Sequence, residues 1–88
     1  MARFKNLVFI THPNTFTEGI MAKYRFNNGK EISIVAGKSL YSNTKNGIRE
    51  AVASPEDVSS FEVMFDGEVE GYCTRERIDE IFEQNEVL

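Results

Sequence analysis

Two apolar-rich runs around an Asn-Asn-Gly segment constrain the fold of this chain more than any other feature. The runs are Ile20–Phe26 and Lys30–Ala36, and the segment between them is Asn27-Asn28-Gly29. A two-residue turn would pair Tyr24 with Ser33 and mix apolar with polar faces, whereas a three-residue loop pairs Tyr24 with Ile32. The second register also sets Ala22 opposite Ile34, Ile20 opposite Ala36 and, on the other face, Arg25 opposite Glu31. We therefore predict a β-hairpin with the longer loop and Gly29 in the left-handed region, which only glycine adopts at little cost.

Three further segments have the composition of β-strands. The first, Phe4–Ile10, is rich in aromatic and β-branched residues and ends at the turn-forming segment Thr11–Asn14. Phe61–Phe65 alternates apolar with polar residues, Asp66-Gly67 predicts a tight turn, and Val69–Cys73 returns as the partner strand. Together with the hairpin, these segments predict a mostly antiparallel sheet of about four to five strands.

Helix signals occur in the middle and at the end of the chain. Ser54-Pro55 followed by two acidic residues is typical of a helix start, and Ile48–Ala53 would add a turn or two, so we predict a short helical insert. Thr74 caps a C-terminal helix. Its apolar stripe consists of Ile78, Ile81, Phe82 and, at its end, Val87. Because such a stripe must be buried, the predicted fold class is α+β, with this helix packed on one face of the sheet.

The length and the cysteine content limit the class of protein. The 88 residues fit a single small domain, residues 1–88. A lone cysteine, Cys73, cannot form an internal disulfide, and Met1–Ile10 lacks the apolar region and cleavage site of a signal peptide. No stretch approaches the roughly 18 apolar residues of a membrane span. We therefore expect a cytoplasmic protein that does not associate with membranes.

Two patterns resemble pieces of catalytic or phosphate-binding motifs. Gly37-Lys38-Ser39 matches the end of a phosphate-binding loop, but Ile32 stands where that loop needs its first glycine. A small hydrolase would need His12 as general base and Cys73 as nucleophile, in contact with each other. A cysteine at the end of a strand is more often a buried structural residue. Neither pattern supports an enzyme, and we predict no catalytic residue.

The acidic residues of the second strand pair do not form a metal-binding motif. Asp66, Glu68 and Glu70 surround a turn that is too short for a calcium-binding loop. A solvated hairpin face explains them, so we predict neither a metal site nor a cofactor.

Charge divides the chain into two unlike halves. Residues 1–44 carry six basic and two acidic residues, whereas residues 45–88 carry four basic and twelve acidic ones. This asymmetry is typical of a binding protein. We predict that an acidic surface contacts a partner protein, and one form of this hypothesis is that the surface mimics nucleic acid. The acidic residues predicted to make the contact are Glu68, Glu70, Glu76, Asp79, Glu80 and Glu83. The alternative is a nucleic-acid- or nucleotide-binding module that uses Lys23, Arg25, Lys30 and Lys38.

The last third of the chain resembles a group of short, uncharacterised phage and prophage proteins. The resemblance is carried by Phe61, Glu62, Val63, Gly71, Tyr72, Thr74 and the Ile78–Phe82 stripe, preceded by a strand and Gly/Tyr loop at residues 32–42. The chain departs from that pattern in the long insert Asn43–Ser60 and in the N-terminal strand Phe4–Ile10. No catalytic residues are assigned in the group. The resemblance implies a non-enzymatic phage accessory protein that binds and inhibits or modulates a host or defence protein in the bacterial cytoplasm.

The two unlike halves also allow the chain to pair with a copy of itself. In a closed two-fold dimer, the acidic helix of one copy would meet the basic hairpin of the other. The other expectation is a monomer in which the two halves neutralise each other. The sequence does not distinguish the dimer from the monomer.

Overall fold

The structure, a computed structural model, describes residues 3–47 and 49–85 of the chain. Its strands are β1 (Ile10–Thr11), β2 (Gly19–Arg25), β3 (Glu31–Gly37), β4 (Asn43–Thr44), β5 (Val58–Phe65) and β6 (Glu68–Cys73). These residues also form one α-helix, α1 (Arg75–Asn85), and 3-10 turns at Phe4–Asn6, Thr15–Thr17 and Pro55–Asp57.

The sheet is antiparallel throughout, as predicted. The strand order is β1-β2-β3-β5-β4, and β6 pairs with β5. The two-residue strands β1 and β4 bring the sheet to six strands in the described part of the chain. The predicted α+β class, with a mostly antiparallel sheet and a C-terminal helix, is confirmed.

The β2–β3 hairpin has the predicted register. Its cross-strand pairs include Tyr24 with Ile32, Ala22 with Ile34, Ile20 with Ala36 and Arg25 with Glu31. The Phe26 N–H donates to the Lys30 carbonyl at 2.8 Å, and Gly29 has a φ of +90°. A Cβ atom built on Gly29 would meet no atom within 4 Å. Glycine is therefore required here by the backbone conformation and not by lack of space.

The β5–β6 hairpin turns at Asp66-Gly67, whose φ angles of 52° and 82° are those of a type I′ turn. Phe65 consequently lies opposite Glu68, and Val63 opposite Glu70. Directly opposed residues share a face of an antiparallel pair, and Val63 is buried. Glu68 and Glu70 therefore project from the side of the sheet that α1 covers, at its edge.

Helix α1 packs across one side of the sheet and closes the core. The Phe82 ring lies 5.1 Å from the rings of both Tyr24 and Phe26. The largest fully buried side chains are Phe26, Phe61, Phe82, Ile32, Ile34, Ile78, Val58 and Val63. Tyr24 is half-buried on this side, as its register with Ile32 predicted. Val87, the last residue of the predicted apolar stripe, lies outside the described residues.

The predicted first strand at Phe4–Ile10 is wrong. Phe4–Asn6 forms a 3-10 turn, and pairing with β2 is restricted to Ile10–Thr11. The core contacts of this segment come from Phe4, Leu7 and Phe9. Their spacing of three and two residues does not alternate as a strand requires. The Phe4 N–H instead donates to the Asp79 carboxylate at 2.8 Å, which ties the segment to α1.

The middle of the chain contains less helix than predicted. Residues 49–53 are not helical, and Ile48 lies outside the described residues. The predicted helix start at Ser54–Asp57 is present only as a capped 3-10 turn. Val52 is buried, and its N–H donates to the Glu18 carbonyl at 2.9 Å. Four of these five residues are good helix formers, so burial of one side chain and a hydrogen bond to a distant segment outweigh local helix propensity here.

Candidate functional site

The exposed side of α1 carries a row of carboxylates, named here the acidic ridge. Its members are Glu76, Asp79, Glu80 and Glu83. Their i, i+3, i+4, i+7 spacing places them on one side of the helix, opposite the buried Ile78, Ile81 and Phe82. The predicted cap fixes where the helix begins, because the Arg77 N–H donates to the Thr74 hydroxyl at 3.2 Å. Four of the six acids singled out from the sequence thus share one surface.

Two ridge carboxylates form ion pairs within the chain. Glu83 lies 2.7 Å from the Arg3 guanidinium, and Glu80 lies 3.2 Å from that of Arg77. The four side chains are between 39% and 61% exposed. Pairs this exposed contribute only about 0–1 kcal/mol each, so a competing cation can displace either arginine at little cost.

The other two ridge carboxylates differ in their surroundings. Asp79 accepts the hydrogen bond from the Phe4 N–H and so has a structural role at the N-terminal turn. Glu76 is exposed and makes no ion pair with any residue that the structure describes. The ridge therefore combines one free carboxylate with three that are only partly engaged.

The remaining predicted acids lie beside the ridge on β6. Arg77 donates to both carboxylate oxygens of Glu70, with Nε–Oε2 at 3.0 Å and Nη2–Oε1 at 3.1 Å. These bonds, and a weaker contribution from the Cys73 thiol, hold the pKa of Glu70 below its usual value. Glu68 is exposed and has no ion-pair partner among the described residues. Arg77 thus links Glu70 to Glu80 of the ridge, and Glu68 lies two residues from Glu70 on the same side of β6.

Cys73 is buried and protonated, which is the opposite of what a nucleophile needs. Its Sγ donates to Glu70 Oε2 at 3.0 Å, and burial, followed by this hydrogen bond, raises the pKa of the thiol to about 12. His12 follows β1, which is four strand spacings from β6 in the sheet order, on the order of 20 Å. The structure does not bring His12 and Cys73 together.

Polar groups near the Gly37-Lys38-Ser39 segment are satisfied within the fold. The Ser39 hydroxyl donates to the Phe16 carbonyl at 2.8 Å, and the Lys38 ammonium lies 3.9 Å from the Glu18 carboxylate. The chain continues through bends into β4 and not into a helix. The segment therefore lacks the helix N-terminus that a phosphate-binding loop provides.

The four basic residues predicted as an alternative site do not form one patch. Lys23 and Arg25 are exposed on the same side of β2. Lys30, at the hairpin tip, lies 3.4 Å from the Asp66 carboxylate. Lys38 follows the opposite end of β3, and the seven residues of that strand span about 23 Å. Only Lys23 and Arg25 act on a common surface.

That surface is the side of the sheet away from α1, named here the open face. Its residues are Met21, Lys23, Arg25, Glu31, Ser33, Val35, Glu62, Met64 and Val69. The α-helix of the described residues packs on the other side. Met64 and Val69 lie opposite each other and keep 51% and 53% of their area exposed. Apolar and cationic side chains therefore lie together in contact with solvent.

Sequence reasoning missed a contact between two tyrosines at the edge of the open face, named here the tyrosine pair. The rings of Tyr41 and Tyr72 lie 6.2 Å apart at 55°, and they are 55% and 49% exposed. The Arg49 guanidinium lies 5.5 Å from the centre of the Tyr41 ring and 3.3 Å from the Tyr72 hydroxyl. The three residues come from separate segments, so no local pattern indicates their contact.

Comparison of the chain with protein-family models, curated proteins and solved structures found no match. Within residues 3–47 and 49–85, no helix has the length and apolar character needed to cross a membrane. The same residues contain no group of three or more His, Cys, Asp or Glu side chains arranged to hold a metal ion. The surfaces described above are therefore the features of the molecule from which a function can be inferred.

Proposed function

We propose that the protein is a non-enzymatic binding protein that contacts a basic surface of a partner protein through the acidic ridge, Glu68 and Glu70. The observation that carries this proposal is the alignment of four carboxylates on the exposed side of α1. Like charges at i, i+3 and i, i+4 destabilise a helix by roughly 0.2–0.5 kcal/mol per pair. The burial of the opposite stripe does not require any of them. Asp79 also holds the N-terminal turn, and binding of a partner would explain the rest of this repulsive row.

The density of charge supports a partner that normally binds polyanions. Seven residues of helix separate Glu76 from Glu83, a rise of about 10 Å that carries four carboxylates. Duplex DNA carries about six phosphate charges in the same length. If Arg3 and Arg77 gave up their ridge carboxylates, a basic cleft shaped for nucleic acid would find four negative charges in this length, and the ridge would act as a mimic.

The biological setting proposed for this activity follows from the resemblance to phage accessory proteins. In that setting, the partner is a host or defence protein of the bacterial cytoplasm, and binding inhibits or modulates it. Arg3 and Arg77 would exchange their ridge carboxylates for cations of the partner. Because these pairs are solvent-exposed, the exchange would affect the association rate and its salt dependence most.

The test compares two variants that each change four charges. One replaces the ridge (Glu76→Gln, Asp79→Asn, Glu80→Gln, Glu83→Gln), and the matched control replaces Lys23, Arg25, Lys30 and Lys38 with Gln. Proteins captured from a bacterial lysate at moderate salt are identified by mass spectrometry, and the affinity of the purified partner is then measured by calorimetry. We expect the ridge variant to lose at least tenfold in affinity and the control to retain it, with circular dichroism showing both folded.

The opposite result would identify the alternative function. If the control variant loses binding and the ridge variant does not, the acidic surface is not the contact. Salt-sensitive binding of random single-stranded DNA or RNA that depends on the basic residues, with no protein partner bound by the ridge, would then assign the protein to the nucleic-acid-binding class alone.

A further inference from the structure

Tyr72 has a backbone conformation that its side chain makes unfavourable. Its φ is +55°, in the left-handed region, where a bulky aromatic residue is a genuine outlier. The residue sits at the irregularity in the β5–β6 pairing between Phe61 and Val63. Strain of this kind is usually offset by burial, but half of Tyr72 is exposed. The strained backbone therefore directs an aromatic ring toward solvent, an arrangement that clusters at functional sites.

Tyr41 is held next to Tyr72 by two hydrogen bonds of its backbone and by close packing against Gly71. The Tyr72 N–H donates to the Tyr41 carbonyl at 3.0 Å, and the Tyr41 N–H donates to the Glu62 carboxylate at 3.1 Å. A Cβ atom at Gly71 would lie 2.9 Å from the Tyr41 Cβ, so only glycine allows this approach without displacement. The tyrosine pair is thus preorganised, although neither ring belongs to the core.

Arg49 adds a cation to the tyrosine pair. Its guanidinium lies over the Tyr41 ring and within hydrogen-bond distance of the Tyr72 hydroxyl. Among the described residues it makes no ion pair with a carboxylate. An arginine between two exposed rings offers two stacking surfaces and a group that binds phosphate.

The open face continues this chemistry away from the tyrosine pair. Lys23 and Met64 each lie opposite Ser33, on either side of it, and Val69 follows on β6. Lys23 is therefore two strand spacings from Met64, about 10 Å. The surface leads from two stacking rings, across an apolar strip, to the cations of Lys23 and Arg25. A single strand that stacks its bases on the rings can extend its phosphates toward these two cations, whose charge Glu31 and Glu62 on the same face offset in part.

We propose that the open face and the tyrosine pair bind single-stranded nucleic acid, with unpaired bases stacking on Tyr41 and Tyr72 and phosphates meeting Arg49, Lys23 and Arg25. Aromatic rings of this kind are accessible only to bases that are free of a duplex, and stacking tolerates any sequence. The surface lies on the side of the sheet away from the acidic ridge. This activity is therefore independent of the partner-protein contact proposed above.

The experiment measures binding of fluorescein-labelled oligo(dT) and oligo(U) of 12 nucleotides by fluorescence anisotropy at 50 and 200 mM salt. A duplex of the same length is the comparison. Two variants probe the tyrosine pair, Tyr72→Asn and Arg49→Gln. Asn is among the residues that tolerate the left-handed region best, so Tyr72→Asn removes the ring without adding strain. The control is Phe16→Ala, because Phe16 is an aromatic residue that is 85% exposed elsewhere on the surface.

We expect the unmodified protein to bind single strands more tightly than the duplex. Tyr72→Asn should weaken binding by about tenfold or more, whereas Phe16→Ala should leave it unchanged. Lys23→Gln with Arg25→Gln should reduce the slope of log affinity against log salt by about 1.4, since each cation on a single strand accounts for about 0.7. The four-residue ridge variant should bind as well as the unmodified protein or better, which separates this activity from the proposed protein contact.

Three outcomes would overturn the proposal. The first is no binding of either oligonucleotide at 50 mM salt, the second is equal affinity for the duplex, and the third is a folded Tyr72→Asn variant that binds like the unmodified protein. Loss of a protein partner on Tyr72→Asn, without oligonucleotide binding, would assign the surface to a protein instead.

Discussion

The two sides of the sheet use the same strands for different purposes. On the side covered by α1, alternate residues of β2, β3 and β5 are aliphatic or aromatic and almost fully buried. On the open face, the residues between them include cations, carboxylates and Met64, and Val69 of β6 adds a second exposed apolar side chain. Because successive side chains of a strand point to opposite faces, one face can be fixed by packing while the other remains free for recognition.

Charge is also handled differently on the two sides. Glu70, on the helix side, is held by two hydrogen bonds from Arg77, and Glu83 of the ridge is paired with Arg3. Glu68 and Glu70 on the edge strand β6 also discourage pairing with another chain, since inward-pointing charges protect an edge. On the open face, Lys23 and Arg25 have no carboxylate partner within the described residues. The acidic half of the sequence is partly neutralised by ion pairs within the fold, whereas the two cations of the open face form no direct ion pair, although Glu31 lies opposite Arg25.

The largest predicted difference is in the free energy of unfolding, when one side chain is removed from each side of the sheet. Phe82→Ala removes a fully buried ring that contacts Tyr24 and Phe26, and should lower the free energy of unfolding by about 3–5 kcal/mol. Met64→Ala, on the open face, should lower it by less than about 1 kcal/mol. Urea denaturation followed by circular dichroism measures both. Equal losses of unfolding free energy would show that the side chains of the open face also stabilise the fold.

The second prediction compares thiol reactivity on the two sides. With its pKa raised to about 12 from an ordinary value of 9.0, the Cys73 thiol should react with iodoacetamide at pH 8 on the order of a thousandfold more slowly than an exposed cysteine. Because the pKa of the thiol is higher in the folded state, the thiol stabilises the folded state at every pH below 9. That stabilisation is lost as the pH rises from 9 toward 12. Mass spectrometry of alkylation time courses measures the difference.

The matched control places a thiol on the open face. Met64→Cys combined with Cys73→Ser should react at nearly the rate of an unfolded chain, because position 64 is half exposed. In 6 M guanidinium the two thiols should become equivalent. If Cys73 in the folded protein reacts as fast as the introduced thiol, it is ionised, and a nucleophilic role would have to be reconsidered.

The parts of the fold predicted from sequence are those in which local chemistry and face matching agree. Asn27-Asn28-Gly29 and the alternation around it fixed the β2–β3 register, because a one-residue slip would have exposed the core face. Asp66-Gly67 and Thr74 are short-range signals of the same kind. The acidic ridge could be predicted from the sequence for a related reason, since its spacing is set by the helix period and by the buried stripe on the opposite side of the helix.

The parts that sequence did not predict depend on contacts between distant segments. Phe4–Ile10 has strand composition, but its position is set by the Asp79 carboxylate and by packing on the core. The tyrosine pair requires a left-handed Tyr72 and a glycine at position 71 that admits Tyr41. No propensity favours a tyrosine in that conformation. Tertiary structure therefore produced the one candidate surface that local patterns could not show.

The smallest expected effect is self-association, in which the acidic ridge of one copy would meet the open face of another. Lys30 and Lys38 already have carboxylate partners, so Lys23 and Arg25 are the cations left to pair, twice in a closed dimer. Four exposed ion pairs of at most about 1 kcal/mol each give about 4 kcal/mol, which corresponds to millimolar affinity before the cost of association is subtracted.

We therefore expect a monomer at 100 μM in sedimentation equilibrium at both 20 mM and 0.5 M salt. A dimer at 20 mM salt that dissociates near 0.5 M, where the Debye length is about 4 Å, would show that the ridge and the open face attract each other more strongly than exposed pairs normally do. A dimer that is indifferent to salt would instead indicate an apolar interface. Such an interface could be formed by the open face or by a strand edge. Met64→Glu distinguishes the two, because it should dissociate a dimer formed through the open face and leave one formed through a strand edge intact.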